Sequence, residues 1–326
     1  MSTVLTGLET YTLRAPTPDD LPAVYDLIAA CDMADFGTVD LSLDDLRDEW
    51  DELDLARDAW VFVTSGGHVV GYGAVFHKYH VRVHADGYVH PDAHGQGIGT
   101  RLQELMEARA REHVPLAPPD ARVVLRNATN ARDAESRRLL ESHDYQLVRH
   151  FWRMEIDLDA PPPVPVWPAG ITVRSLVVGQ DEEAAYNAIS EAFRDHWGHL
   201  PDSFAAWRKR TIDKPDFDPG LWFVAFDGDE VAAAVRCGYR LDVGWVHALG
   251  VRRPWRRRGL GEALLLQAFG EFYRRGARTV GLGVDAANPT GATRLYERAG
   301  MCVSREFAVY EIELRPGRDL EAMSEL

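Results

Sequence analysis

Val251-Arg-Arg-Pro-Trp-Arg-Arg-Arg-Gly-Leu-Gly-Glu-Ala-Leu-Leu-Leu-Gln267 joins the end of an apolar strand to a turn carrying Gly259 and Gly261 and then to an apolar-periodic helix. Without a Cβ at the two glycines, the backbone can bend sharply and approach a ligand closely. The first amides of the helix have no partner within it, so they point outward as anion-binding groups. The helix dipole adds partial positive charge, and Arg256, Arg257 and Arg258 add full charges, which makes a pyrophosphate the natural guest. Arg-x-x-Gly-x-Gly is shorter than the dinucleotide fingerprint Gly-x-Gly-x-x-Gly, which disfavours a Rossmann reading.

This motif resembles the Arg/Gln-x-x-Gly-x-Gly/Ala hallmark of the GNAT acetyltransferase superfamily, which binds the pyrophosphate of acetyl-coenzyme A. A second stretch, Val284-Asp-Ala-Ala-Asn-Pro-Thr-Gly-Ala-Thr-Arg-Leu-Tyr-Glu-Arg-Ala-Gly300, resembles the family's Asn…Leu-Tyr-Glu…Gly segment and lies at the expected distance downstream.

The chain has 326 residues, 46% of them hydrophobic, enough apolar material for two cores. No stretch approaches the roughly 18 uninterrupted apolar residues needed to span a bilayer, and the N-terminus lacks a basic region followed by an apolar one. A cytoplasmic protein with no membrane partner is expected. Three scattered cysteines, Cys31, Cys237 and Cys302, make neither a disulfide framework nor a metal cluster. The net charge of −15 is concentrated in the first half: residues 1–160 carry 28 acids and 15 bases, residues 161–326 carry 23 and 21. That balance argues against a nucleic-acid partner. The short basic run Arg252–Arg258 is better explained by cofactor phosphates.

The two halves repeat one another. Thr12-Leu-Arg14 is echoed by Thr172-Val-Arg174, Trp60-Val-Phe-Val by Trp222-Phe-Val-Ala, and Gly97-Ile-Gly99 by Gly259-Leu-Gly261, at offsets of 160, 162 and 162. Glu155-Ile-Asp-Leu matches Glu311-Ile-Glu-Leu at 156, the change being absorbed by a loop near Pro115–Asp120. The resemblance therefore implies two tandem GNAT folds of the α/β (α+β) class, each a mixed, mostly antiparallel sheet flanked by helices. The expected boundaries are an N-terminal GNAT-like domain over 1–160, a connector over 161–170, and a C-terminal catalytic domain over 171–326. The connector is rich in proline, which excludes helix. In the second copy, strands are expected at 171–177, 221–227, 230–240, 243–251, 278–285 and 302–314, and helices at 181–196, 202–213, 259–275 and 290–299. The tail from Arg315 reads as polar and loose.

The resemblance implies direct attack of a primary amine on acetyl-CoA. Cofactor contacts fall on the strand end Leu249, Gly250 and Val251, on the turn Arg256, Arg257, Arg258, Gly259, Leu260 and Gly261, and on Asn288. Asn288 has a second reading as a helix cap beside Pro289. Tyr296 aligns with the family's general acid toward the departing thiolate; a phenol can give up that proton at neutral pH. The glutamate that relatives often carry on strand four falls on Trp245. The candidate base is His247, two residues on and thus on the same face, with an ordinary pKa of about 6.5. Asp242 and Glu191 are alternatives acting through water. Asp195, His196 and Trp197 lie where the family shapes its acceptor pocket.

The first copy keeps a possible second cofactor site in His94, Gly95, Gln96, Gly97 and Gly99, but places Leu140 where the second copy has Tyr296. Leucine cannot donate a proton, so this domain reads as degenerate. The histidines His77, His80, His84, His90 and His94 fit no zinc spacing, and no metal is expected. The expected protein is an N-acetyltransferase, monomeric or homodimeric, acting on a small-molecule amine. Competing readings are a protein or aminoglycoside acetyltransferase, for which a carboxylate-lined pocket would speak, and a non-catalytic acyl-CoA sensor.

Overall fold

The computed structural model describes residues 8–321. These fall into two compact units, the first made of residues up to His150 together with Phe307–Leu320, the second made chiefly of Phe151–Glu306.

In the first unit, β1 (Tyr11–Arg14) leads through α1 (Leu21–Phe36), α2 (Leu43–Asp51) and α3 (Leu55–Asp58) to the antiparallel strands β2 (Ala59–Thr64), β3 (Val69–Lys78) and β4 (Arg82–Val89). Then come α4 (Ile98–His113), β5 (Val123–Asn130), α5 (Ala134–Ser142) and the start of β6 (Gln146–Asp157). Strand β5 runs parallel to β4, but the pairing covers only Arg82↔Val124 to His84↔Arg126 before the strands part. One face of this sheet carries α1 and α2 over a core of Leu27, Leu46, Trp50 and Tyr72; the other packs Ile98, Leu102 and Met106 of α4 with Leu140 and Tyr310.

The second unit repeats the plan. Strand β7 (Ile171–Ser175) is followed by α6 (Glu182–Phe193) and α7 (Phe204–Thr211), and then by β8 (Trp222–Asp227), β9 (Glu230–Arg240) and β10 (Val243–Val251). Next come α8 (Leu260–Arg274), β11 (Thr279–Asp285), α9 (Ala292–Arg298) and β12 (Cys302–Arg315). Helix α8 buries Leu260, Leu264, Ala268 and Phe272, a stripe of i, i+4 spacing that seats it on the sheet.

The compact units do not divide at the proline-rich connector. Each sheet is completed by a strand from the other half of the chain. Phe307 to Arg315 of β12 pair antiparallel with β5, and Phe151 to Asp157 of β6 pair antiparallel with β11. This exchange also carries β5 to Asn130, because Phe307 pairs opposite Asn130. Within the first unit it brings Arg126 and Glu311 together, with 2.7 Å from Nε to the carboxylate and both side chains buried.

Element ends differ from expectation where a local device intervenes. Helix α1 stops at Gly37, whose left-handed φ of 72° lets its N–H return to Met33 O. Helix α6 ends at Phe193, three residues early, as Arg194 to Gly198 turn away. The tail is not loose up to Arg318. The Arg315 guanidinium donates to Val114 O and Ala121 O at 3.0 Å, and Arg318 bridges to Ala121.

Candidate active site

Strands β10 and β11 pair in parallel only from Gly244↔Val280 to Val246↔Leu282, and then diverge. The divergence opens a cleft of about 770 Å3, within the range of small-molecule sites. Its walls include the outer halves of both strands, the start of α8 and the inner face of α9.

Strand β10 carries a bulge at the cleft. Val246 pairs with Cys237 and Ala248 with Arg236, leaving His247 as the extra residue. The bulge reverses the strand's alternation. A Cβ at Gly244 would meet the Phe272 ring of α8 at 2.7 Å, whereas one at Gly250, of the same parity, would meet Ala192 of α6 at 2.9 Å. His247 is exposed and lines the cleft, its Nε2 lying 2.9 Å from where a Cβ on Gly238 would stand. Beyond the bulge, Arg252 N–H donates to Ala232 O on β9. Strand amides alternate in direction, so the N–H groups of Leu249 and Val251 face the opposite edge, where β11 has moved away.

The turn after β10 bends through two left-handed residues. Arg257 and Gly259 both adopt left-handed φ, 61° and 83°, with Gly259 as N-cap of α8. Among the described residues, the amides of Arg257 to Gly261 have no hydrogen-bond acceptor, and the series resumes with Ala263 N donating to Gly259 O at 3.1 Å. Gly261 allows α8 to approach α9: a Cβ there would meet Leu295 at 3.0 Å. The three arginines divide their work. Arg256 is turned inward, its Nε donating to Val251 O at 3.0 Å and its Nη2 to Ala192 O at 3.3 Å. It braces the turn against the strand end. Arg258 leans toward Asp227, 3.9 Å away, and Arg257 lines the cleft.

Tyr296 projects from α9 into the cleft, 9% exposed, and burial pushes its phenol up to about 12. Its hydroxyl has no partner among the described residues. Asn288 does not cap α9; that position is Gly291, with φ 78°. Its Oδ1 instead accepts from Thr290 N and Oγ1, at 2.8 and 2.6 Å. The Asn288 side-chain nitrogen Nδ2 has no acceptor among the described residues.

Asp195, His196 and Trp197 all line the cleft. Asp195 is neutralised by Arg253, 2.7 Å away. His196 stacks on Phe193, and burial lowers its pKa. Trp245, at the expected position of the family's carboxylate, is wedged against Gly281, with the guanidinium groups of Arg153 and Arg240 at 4.8 and 4.9 Å from its ring centroid. Two alternative bases do not reach the cleft. Glu191 is held by Arg252 Nε at 2.7 Å and by the Arg253 amide, and Asp242 sits in the hairpin turn at the far end of β10.

Two of the cleft residues that sequence reasoning missed bear on the site. Buried Asp285 ends β11 and accepts the Ala287 amide at 2.9 Å. It stands inside the quoted Val284–Gly300 stretch, so its position was readable even though its role was not. Phe151, paired opposite Asp285, comes from β6, and only the strand exchange brings it there.

The first unit keeps the turn but has neither the strand bulge nor a tyrosine equivalent to Tyr296. Gly95 and Gly97 take φ of 72° and 84°, matching Arg257 and Gly259. The His94 ring nitrogen lies 3.1 Å from Val89 O, the contact Arg256 makes with Val251 O. The register of β4 on β3 runs unbroken from Gly71↔Val89 to Lys78↔Arg82, so there is no bulge, and Leu140 is buried in the core.

A splayed parallel strand pair, a glycine-bearing turn at a helix N-terminus and a tyrosine on the following helix meet in one cleft, an arrangement that fits an acetyltransferase. The profile of the acetyltransferase (GNAT) family matches residues 21–139 and again 183–301, and the chain belongs to that family, as a tandem N-acetyltransferase. It is similar to the mycothiol acetyltransferase of Streptomyces scabiei, 31% identical over 69% of this chain and 68% of that one. The mycothiol acetyltransferase of Kytococcus sedentarius is 31% identical over 94% and 98%. The crystal structure of a GCN5-related N-acetyltransferase from Sphaerobacter thermophilus is 41% identical, covering 96% of this chain and 98% of that one with a TM-score of 0.86. Acetyl transfer to an amine, with the family's acetyl-CoA as donor, is thus the activity class. Among the described residues, no helix is long and apolar enough to cross a membrane.

Proposed function

We propose that the second unit is the catalytic one and that it acetylates a primary amine of a small molecule. The observation that carries this reading is the coincidence, in one cleft, of the unpaired amides of Arg257 to Gly261 with the buried hydroxyl of Tyr296. The same residues satisfy what acetyl-CoA requires: an anion cradle for its diphosphate, the Asn288 amide beside the path of its arm, and an open strand edge at Leu249 to Val251. When bound, acetyl-CoA supplies an activated acyl group as a thioester.

The chain's own groups do the rest. The N–H groups of Leu249 and Val251 are fixed donors at the edge where negative charge would develop on a carbonyl oxygen. Tyr296, kept protonated by its burial, hands its proton to a departing thiolate. His247, aimed into the cleft by the bulge, takes a proton from the attacking amine. Asp195, His196 and Trp197 line the acceptor side. The first unit binds acetyl-CoA through His94 to Gly99 without catalysing, since it has neither the bulge nor a phenol at position 140.

The relatives' activity places mycothiol-type amines first among acceptors to try, while Trp245 in place of a carboxylate favours an acceptor read differently from theirs. The test is turnover of acetyl-CoA with an amine panel, followed by thiol release, for the wild type and Tyr296→Phe. A large loss of turnover with retained binding supports the assignment; equal turnover removes Tyr296 as the acid. Coenzyme A binding without turnover on any amine would favour a sensor.

A further inference from the structure

The first unit holds a cluster that acetyl transfer does not use. His77 lies near the end of β3, His80 in the three-residue turn Tyr79–Val81 to β4, and His113 is the last residue of α4. Separated in sequence, they converge in space: one ring nitrogen from each lies within 4.8 Å of the others, and the Nδ1 atoms of His80 and His113 are 2.8 Å apart. The ring centroids are 4.0 Å apart for His77 and His80 and 4.6 Å apart for His77 and His113.

Two features mark the cluster as more than three packed rings. The turn that places His80 has Tyr79 and His80 both left-handed, at φ 54° and 58°, a geometry that ordinarily selects Asn-Gly; side chains there are strained. His113 is buried, and its Nε2 finds no hydrogen-bond partner among the described residues. The nearby cation Arg109 is already matched by Asp58 at 2.7 Å and Glu112 at 2.6 Å, and does not bar a second positive charge.

We propose that His77, His80 and His113 form a binding site for one divalent metal ion of the imidazole-preferring kind, Zn2+ above all, tying the β3–β4 turn to the end of α4. Zinc takes imidazole nitrogens at about 2.0–2.1 Å, which sets them roughly 3.3 Å apart in a tetrahedron. The separations here bracket that value, so ring rotations suffice. Exposed His77 leaves the remaining position open to water. Neutral nitrogen ligands without carboxylates select zinc, nickel or copper over magnesium or calcium.

The test is calorimetric titration of the chelator-stripped full chain with Zn2+, repeated with Co2+ to read its visible absorption, on the wild type, His77→Asn and His80→Gly. The wild type should take up one ion per chain, with a Co2+ spectrum of nitrogen ligation and a rise in Tm on adding zinc. Each variant should bind at least about tenfold more weakly, as loss of even a supporting group costs about that much. His80→Gly separates ligand loss from folding failure: relieving the turn should leave the metal-free Tm unchanged or higher, while the zinc-dependent rise disappears. Absence of saturable uptake in the wild type, or equal affinity in all three proteins, would overturn the site and leave the rings held by hydrogen bonds alone.

Discussion

Six residues apart on β10, Gly244 faces Phe272 of α8 and Gly250 faces Ala192 of α6, so one strand presents glycines of the same parity to opposite sides of its sheet. The extra residue at His247 is the cause. Two substitutions check it. Gly244→Ala should lower stability by about 1–3 kcal/mol through the Phe272 overlap, with the cleft intact. Gly250→Ala should cost a similar amount, but push α6 outward and raise KM for the amine, because Asp195 and His196 follow directly from that helix. Thermal melts and steady-state kinetics separate the two.

Tyr296→Phe removes a single oxygen from the cleft. Turnover should fall by about 10²- to 10⁴-fold, the usual contribution of a positioned acid, with little change in acetyl-CoA affinity. Since burial raises the phenol to about 12, its proton is present at neutral pH and is lost only as pH rises toward that value. A pH–rate profile should therefore show no alkaline fall attributable to Tyr296 below about pH 10, an estimate that follows from the raised phenol.

Arg257 holds a left-handed φ where the first unit has Gly95. Arg257→Gly should stabilise the ligand-free chain by about 1 kcal/mol by removing that strain, while Gly259→Ala, at φ 83°, should destabilise it by about 1–2 kcal/mol. Melting curves without ligand measure both.

Each unit ties the end of its first strand to its first long helix with the same clamp. Arg14 grips Asp20 at 2.7 Å through both nitrogens, and Arg174 grips Asp181 through both, at 2.9 Å from Nη2. Each carboxylate also accepts a backbone amide, from Thr17 and Val177, at 2.7 Å. The guanidinium groups hold both carboxyls below their ordinary values. A depressed carboxyl adds stability that is fully present above the unfolded pKa of about 3.9 and is lost as pH falls through the folded one. Asp181→Asn should cost about 1–2 kcal/mol at pH 7 and flatten the decline of stability below pH ~4, as measured by denaturant titration across pH.

Glu311 supplies β12's half of a buried pair with Arg126. Glu311→Gln should destabilise by about 3 kcal/mol, since it removes a carboxylate charge shared by the buried Arg126 guanidinium and Arg122. Urea unfolding reads the difference.

Much of this was legible in the chain because the signals are local. Gly259 and Gly261 announce the turn, Tyr296 sits at a fixed spacing from Asn288, and the Arg14 and Arg174 echoes mark equivalent strand ends. What stayed hidden depends on distant partners. The exchange of β6 and β12 leaves no mark in either strand's own pattern, so Phe151 could not be assigned to the second unit's cleft. The inward turn of Arg256 is set by the carbonyls of Val251 and Ala192, and its role as a brace emerges only beside His94, which makes the equivalent contact. His77, His80 and His113 belong to a hairpin and a helix end that sequence spacing does not connect.

The most direct measurement is amide chemical-shift mapping of the full chain as acetyl-CoA is added. The expected result is a set of large shifts at Arg257, Arg258, Gly259, Leu260 and Gly261 that saturate with the uptake measured by calorimetry and are absent when acetyl-pantetheine, which lacks the diphosphate, replaces the coenzyme. Saturation with those amides unmoved, or with shifts confined to His94 to Gly99 of the first unit, would contradict the assignment of catalysis to the second.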